Sequence, residues 1–491
     1  MNIDVGPLIH VLPDQRWFGS KDRALRAVEL RDHAVLDEGV DGRESLILAL
    51  LDVRFVDGRD ALYQMPLLVA DDGTVRDALE SVGRLSVFGR LLARGETLRG
   101  EHGSFRFGGP GLDPLSPPGQ GSVRALGTEQ SNSSIVLDEA VILKLIRRVE
   151  EGDNPELELN RFLTNEGFEY IPAQVGEIFY VATKDREGSV GLQAQLHDEG
   201  TNIDLGIAQQ FISDATDGWS EALKHIAALY DGISGEEEMS SRRQQIEAVC
   251  STLLEEIAAL GEVTAGVHVA FARGQEYDPD IGRETATSQD LRDWGMHARH
   301  ALASLPIDRL PELTPEMLSA IDRLIDALER VTDPGAKTRV HGDYHLGQTL
   351  LGPRGWLILD FEGEPLRSLE ERRAFQSPLR DVAGMLRSFS YAAYSVLFER
   401  AEPDTERWKQ LEPWATSFEE LARDYFWQAY LRTSHEGDLL SHDRDDLGIL
   451  LDFFEVDKAL YEVGYDLGHR PDWVRIPLRG IRDVIERSEA G

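Results

Sequence analysis

The stretch 339–365 reads RVHGDYHLGQTLLGPRGWLILDFEGEP. Two short apolar segments can be read in it. Residues 356–359 have the pattern of a buried strand, with Pro353 and Gly355 as turn residues before it. Asp360, Glu362 and Glu364 follow the strand's end. Asp343 lies upstream, in a loop between His341 and Gln348.

Phosphoryl transfer asks for such a set of groups. A carboxylate accepts the proton of the attacking hydroxyl, and oxygen ligands hold magnesium against the nucleotide phosphates. In the protein-kinase template, an H-R-D-x-x-x-x-N loop supplies the base and one metal ligand, and a later D-F-G aspartate supplies the other. Here His341-Gly342-Asp343 takes the place of that loop's start. Gln348 stands five positions on, where the template has Asn. Asp360-Phe361-Glu362 stands where the template has D-F-G, with Asp360 17 positions after Asp343. Asp343 is thus the candidate base, and Gln348 and Asp360 are the candidate metal ligands.

HGDxxxxQ followed by DFE resembles the aminoglycoside-phosphotransferase-like and choline-kinase-like small-molecule kinases. The fuller string HGDYHLGQ…WxILDFEGEP is similar to the maltokinase family. The resemblance implies an α+β, two-lobed eukaryotic-protein-kinase-like fold, with an antiparallel-sheet N-lobe, a mostly helical C-lobe and an N-terminal α/β cap. It implies ATP and Mg2+ as cofactors and maltose as acceptor, phosphorylated at its anomeric hydroxyl. It further implies a place on the route from trehalose to glycogen, with trehalose synthase as a partner. His345 and Glu362 are then expected at the sugar or the metal.

Composition bounds the remaining classes. The chain has 491 residues, 41% hydrophobic and 28% charged, as in a globular protein of two to four compact units. No run of about 18 apolar residues occurs, and no signal-peptide pattern opens the chain, so a cytoplasmic protein is expected. The one cysteine, Cys250, fits a reducing compartment and reads as a small buried apolar residue. A net charge of −37 argues against nucleic acid and anionic membrane as partners.

In chain order, residues 1–95 read as the cap, with strands followed by a helix over 75–92. DQRWFGSKD at 14–22 is also similar to maltokinase caps, and Arg16, Trp17 and Lys21 read as structural anchors. Residues 96–121, rich in Gly and Pro, read as a linker. Residues 122–210 read as the N-lobe. Its loop carries Ser131, Asn132 and Ser133, whose hydroxyl, amide and backbone groups are candidates for nucleotide phosphates. Lys144 lies inside the apolar strand VILKLI, where a lone cation is costly unless paired. The helix after Asn154-Pro155 carries Glu156 and Glu158. Resemblance favours Glu158 over Glu156 as the partner that holds Lys144 at the phosphates. Residues 190–198 read as another strand. Main-chain groups near Gln210 and Ile212 are expected at the adenine by resemblance to the kinase hinge.

From residue 211 the chain reads as a helical C-lobe with apolar residues at i, i+3 and i+4. His268, His297 and His300 show no metal-ligand spacing and read as structural or surface residues. Arg380 and Asp381 also read as structural. In the last long helix Lys458, Tyr461 and Tyr465 fall at i, i+3 and i+7, hence on one face. Such a stripe is commonly core, but aromatic faces with hydroxyl tips also suit sugars. The run 457–481 is very similar to the end of maltokinases, where this helix contributes to the maltose site. Trp427 is a further candidate at the sugar. Two other functions stay open on the residues: a kinase for glucosamine, another amino sugar or an aminoglycoside, and a non-catalytic partner of trehalose synthase.

Overall fold

A computed structural model describes residues 2–39, 44–108, 122–126, 132–183, 202–233, 239–274, 280–364 and 367–490. The chain divides into two units. The first is Met1–Thr164 with Pro172–Ser213; the second is Asn165–Ile171 with Asp214–Gly491.

The first unit is built on two antiparallel sheets. Leu25–Asp37, Ser45–Phe55 and Ala61–Val69 form a meander, and Arg148–Val149 pairs with the last of these. The other sheet runs in the spatial order Thr97–Arg99, Gly103–Gly108, Gln174–Ala182, Asn202–Gln210, Val141–Leu145, Ser133–Leu137, Val123–Leu126. One apolar core joins the two: Leu46, Leu48 and Leu50 of the meander share it with Leu143, Leu145 and Ile207. The segments read as cap and N-lobe therefore pack as one unit, each buried Leu or Ile contributing about 1.5–3 kcal/mol. Trp17 is buried in a second cluster on the meander's other face, with Phe18, Phe55 and Tyr63.

Two expectations change here. The span 96–121 was read as linker, yet Thr97–Arg99 and Gly103–Gly108 are strands. The Ser-Phe-Arg-Phe alternation at 104–107, with Phe105 and Phe107 buried, is what places Gly103–Gly108 in the sheet. The expected helix over 75–92 is a short strand Val75–Asp77, a 3-10 segment Ala78–Ser86 and a helix Val87–Arg94. Asp77 starts the coil by accepting the N–H of Leu79 at 2.9 Å, and Ser81 at φ −134° interrupts it. Residues 190–198, read as a strand, lie outside the described residues.

The second unit is mainly helical. Leu379–Arg400 is buried on nearly every side, with the polar Asp381, Arg387 and Ser388 among its buried residues. It packs against Gly218–Asp231, Glu406–Ser434 and Arg444–His469, and Ser251–Arg273 packs on Glu406–Ser434. The stretch that opened the sequence reading forms a hairpin. Thr349–Gly352 pairs with Gly355–Ile358, and Gly355 turns the chain at φ +106°, where a side chain is strained. Trp356 anchors the hairpin, its indole N–H donating to the Glu256 carbonyl at 2.7 Å. Among the described residues no helix is long and apolar enough to cross a membrane.

Candidate active site

Two clusters carry the residues singled out above, one in each unit. In the first unit, Lys144 lies on Val141–Leu145, a central strand between Ser133–Leu137 and Asn202–Gln210. An edge position open to water is therefore ruled out, and Lys144 is only 8% exposed. Its Nζ lies 2.9 Å from Glu156 Oε2. The expectation had favoured Glu158 for this pairing. The helix Pro155–Asn165 starts where Asn154 Oδ1 accepts the Glu156 N–H at 2.8 Å, and that phase turns Glu156 onto Lys144. Glu158 is also buried.

Asn132 and Ser133 differ from their expected use. Asn132 Oδ1 accepts the Arg147 N–H at 3.4 Å, and Ser133 Oγ accepts from Arg147 Nε at 2.8 Å. Arg147 is fully buried, pairs with Asp77 at 3.1 Å and lies 4.6 Å over the Trp17 ring. A buried guanidinium must be satisfied, and Ser133 with Asp77 serves it, while Asn132 holds the Arg147 backbone N–H. Ser131 lies outside the described residues. At the expected hinge, the Gln210 N–H already goes to the Ala173 carbonyl, at 2.9 Å. Ile212 follows the strand Asn202–Gln210 and is half-buried.

In the second unit, the Asp343 loop is held from below by two helices. His341 N–H and Gly342 N–H donate to Asp381 Oδ2 and Oδ1 at 2.7 and 2.9 Å. Leu346 N–H donates to Ser388 Oγ at 3.0 Å, and Tyr344 Oη meets Thr264 Oγ1 at 2.8 Å. The His341 ring bridges the loop to the hairpin: Nε2 donates to the Leu359 carbonyl at 2.7 Å, and Nδ1 accepts the Asp343 N–H at 3.3 Å. Gly342, at φ +84°, supplies the left-handed turn that this geometry needs.

Gly384 shows how closely the supporting helix approaches. A Cβ there would lie 2.6 Å from the Tyr344 carbonyl oxygen, a backbone atom that cannot swing aside. Gly384→Ala is expected to push the loop away, lowering turnover roughly 10²-fold, as ångström-scale misplacement does. Kinetics beside a thermal melt check this; unchanged turnover would mean that the loop tolerates the shift.

Gln348 and Asp360 come together as their spacing suggested, Gln348 Nε2 donating to Asp360 Oδ2 at 2.9 Å. In this pairing the amide N–H faces the Asp360 carboxylate, and the hard oxygens set together here are those of Asp360 and Glu362, within 4.8 Å of each other, a donor type that fits magnesium. Asp360 sits at φ +62°, a conformation few non-glycine residues adopt. His345 caps the turn Leu346–Gln348, its Nδ1 accepting the Gly347 N–H at 3.1 Å. Burial pushes its ring below its ordinary value, so it is neutral near pH 7.

A cleft of about 310 Å³ adjoins the loop, with Gly342 and Tyr344 in its wall. Lys458, Tyr461 and Tyr465 of Arg444–His469 line it together with Glu364, Arg367 and His297. Lys458 Nζ is 3.1 Å from Glu364 Oε1, 3.4 Å from Asp343 Oδ1 and 4.8 Å over the Tyr461 ring. Tyr465 is 38% exposed and stacks on His469 at 4.3 Å. Neither His345 nor Glu362 lines this cleft. Trp427 does not either: it stacks on Tyr430 at 5.7 Å.

Sequence reasoning missed the roles of Glu364, Arg367 and Asp381. Burial raises the Glu364 carboxyl, but Lys458, Arg367 and Arg380 outweigh it and hold it at about 2. Burial lowers Lys458, but Glu364 and Asp343 outweigh it and hold it above its ordinary 10.5. Glu364 thus keeps its contribution above pH 4.5 and loses it only as pH falls through about 2. Lys458 keeps its own below pH 10.5 and loses it as pH rises beyond that. This pair therefore contributes no titration between pH 6 and 9. Acceptor KM is expected to vary less than about twofold in that range, and a KM–pH profile checks it.

Residues 12–92 match the maltokinase N-terminal cap domain. The chain is 26% identical over 374 residues to a glucosamine kinase of Streptacidiphilus jiangxiensis, covering 74% of this chain and 73% of that one. It is 25% identical over 397 residues to a glucosamine kinase of Mycolicibacterium smegmatis, covering 79% and 84%. Among solved structures, a glucosamine kinase in complex with glucosamine, ADP and inorganic phosphate superposes with TM-score 0.63 at 23% identity, over 99% of this chain and 100% of that one. A second crystal form gives 0.65 at 23% identity, over 98% and 100%. These likenesses give the fold: α+β, of the kinase type, with an N-terminal cap. With its cap, its curated relatives and its HGDxxxxQ…DFE motifs, the chain is a phosphotransferase acting on a hydroxyl group, similar to the maltokinase and aminoglycoside-phosphotransferase-like kinases.

Proposed function

We propose that the chain transfers the terminal phosphate of ATP to the anomeric hydroxyl of maltose. The observation that carries this reading is Lys458, which joins the cleft to Asp343 at 3.4 Å. Asp343 accepts the proton of a sugar hydroxyl presented in the cleft. Lys458 holds that carboxylate toward the cleft, and Tyr461 and Tyr465 offer ring faces and hydroxyls to the sugar. Gln348 and Asp360 hold magnesium, which when bound neutralises charge on the nucleotide phosphates. In the first unit, Lys144 with Glu156 is the pair we assign to those phosphates.

The charge of the cleft supports a neutral acceptor. Its lining sets two carboxylates, Glu364 and Asp457, against the cations Lys458, Arg367 and Arg380, and Glu364 is already matched by Lys458 and Arg367. An ammonium group would meet these cations. The maltokinase-type cap points the same way. The relatives' names favour a second reading, an amino sugar as acceptor.

A panel of maltose, glucose, glucosamine and an aminoglycoside, each with ATP and magnesium, tests the proposal, with NMR of the product to locate the phosphate. Highest kcat/KM for maltose is expected. Preference for glucosamine would install the second reading, and no turnover with any sugar would favour a non-catalytic role beside trehalose synthase. Within the proposal, Tyr465→Phe loses one hydrogen bond and is expected to raise maltose KM two- to tenfold, roughly. Tyr465→Ala also loses the ring and is expected to raise it further. An unchanged KM beside a lowered Tm would assign Tyr465 to packing.

A further inference from the structure

We propose that His268 is a positioning residue for the Asp343 loop, acting through Asp381. The proposal rests on the phosphotransfer reading above. His268 lies in Ser251–Arg273 and is 1% exposed. Both ring nitrogens are engaged: Nε2 lies 3.0 Å from Asp381 Oδ2, and Nδ1 lies 3.0 Å from Tyr430 Oη. The Tyr430 ring stands edge-on to it at 5.8 Å. The same Asp381 carboxylate accepts the N–H groups of His341 and Gly342, the two residues before Asp343.

Three donors therefore converge on one buried carboxylate, and only His268 is a side chain. The two backbone donors belong to the loop being held, so they cannot fix the carboxylate independently of that loop. His268, locked by Tyr430, supplies the fixed point. It also helps keep Asp381 ionised. Burial pushes the Asp381 carboxyl up, and hydrogen bonding and charge from His268 help bring it below its ordinary value. A protonated Asp381 would turn an O–H toward one of these donors and give up an acceptor position. From Asp381 the order passes on: His341 and Gly342 are pinned, and the His341 ring then accepts the Asp343 N–H. His268 touches neither substrate nor reacting atoms in this scheme. Its effect is the aim of Asp343.

The test uses the full chain with His268→Leu, His268→Gln and Tyr430→Phe. His268→Leu is expected to lower kcat roughly 10- to 100-fold, the scale of a lost bond to a charged group. KM for ATP and for sugar should stay within about threefold, and hydrogen exchange at the His341 and Gly342 amides should speed up. His268→Gln carries a side-chain amide that reaches the same carboxylate, and should recover kcat to within about fivefold of wild type. Tyr430→Phe keeps the contact to Asp381 and should lose less than His268→Leu. Wild-type kcat and loop exchange in a folded Leu variant would overturn the proposal, as would a Gln variant no better than Leu. If the Leu variant does not fold, His268→Asn replaces it. Its shorter amide falls short of Asp381, so kcat well below that of the Gln variant supports the proposal, and equal kcat overturns it. Should wild type phosphorylate no sugar, the phosphotransfer reading fails by itself, and amide exchange still reports whether His268 holds the loop.

Discussion

Asp343→Asn is expected to lower turnover by roughly 10²–10⁴, the range for loss of a general base. The amide is nearly isosteric with the carboxylate, so the backbone bonds of the loop to Asp381 and to the His341 ring survive. Nucleotide affinity and Tm should therefore stay near wild type. Lys458 adds a second signature. It faces both Asp343 and Glu364, and in the variant only Glu364 remains charged beside it. Lys458 then shifts toward Glu364, and acceptor KM should change by a small factor while kcat collapses. Steady-state kinetics, with calorimetry for ATP, separates the two parameters. Turnover near wild type would remove Asp343 from the role of base.

Asp360→Ala is expected to lower turnover by roughly 10²–10⁴, because a hard-cation site worth several kcal/mol of charge stabilisation loses an oxygen ligand. Excess magnesium should restore little of it. The substitution also does two structural things. It takes away the partner of Gln348, and it places alanine at φ +62°, at a cost on the order of 1 kcal/mol. Asp360→Asn separates these effects. Asn tolerates the left-handed conformation, and its side-chain oxygen still accepts from Gln348, but it is a weaker, uncharged metal ligand. The Asn variant should hold its Tm and still lose most activity. Full activity in either variant, or in a magnesium chelator, would contradict the assignment of Asp360.

What was legible in the sequence was what spacing encodes. Asp343, Gln348 and Asp360 lie within one stretch, and a short hairpin leaves few ways to arrange them. The stripe of Lys458, Tyr461 and Tyr465 was legible because a helix fixes its own periodicity. Glu156 was misjudged because two glutamates sit near one helix start, and the cap at Asn154 sets the phase that chooses between them. Ser133 reads as a phosphate ligand because nothing nearby announces Arg147 as a buried cation in need of an acceptor, and Asn132 because nothing announces its bond to the Arg147 backbone N–H. The Asp381 clamp was invisible for another reason. Its partners stand 40 and 113 positions away, at His341 and His268, and each member locally looks like an ordinary helix or loop residue.

The position of Lys458 also bears on how the chain is made. Lys458 is synthesised 115 residues after Asp343, which it meets across the cleft. At about 5–20 residues per second, that is a delay of roughly 6 to 23 seconds. Through that interval the emerging chain already carries Asp343, Gln348 and Asp360, but one side of the cleft does not exist. Glu364 waits over the same interval for the cation that later faces it. A chain broken off before Arg444 would keep Asp343, Gln348 and Asp360 and have no wall of tyrosines against which to hold a sugar. On the reading proposed above, acceptor binding is acquired only well after the Asp343 loop has been made, and a truncation that removes Arg444–His469 removes it.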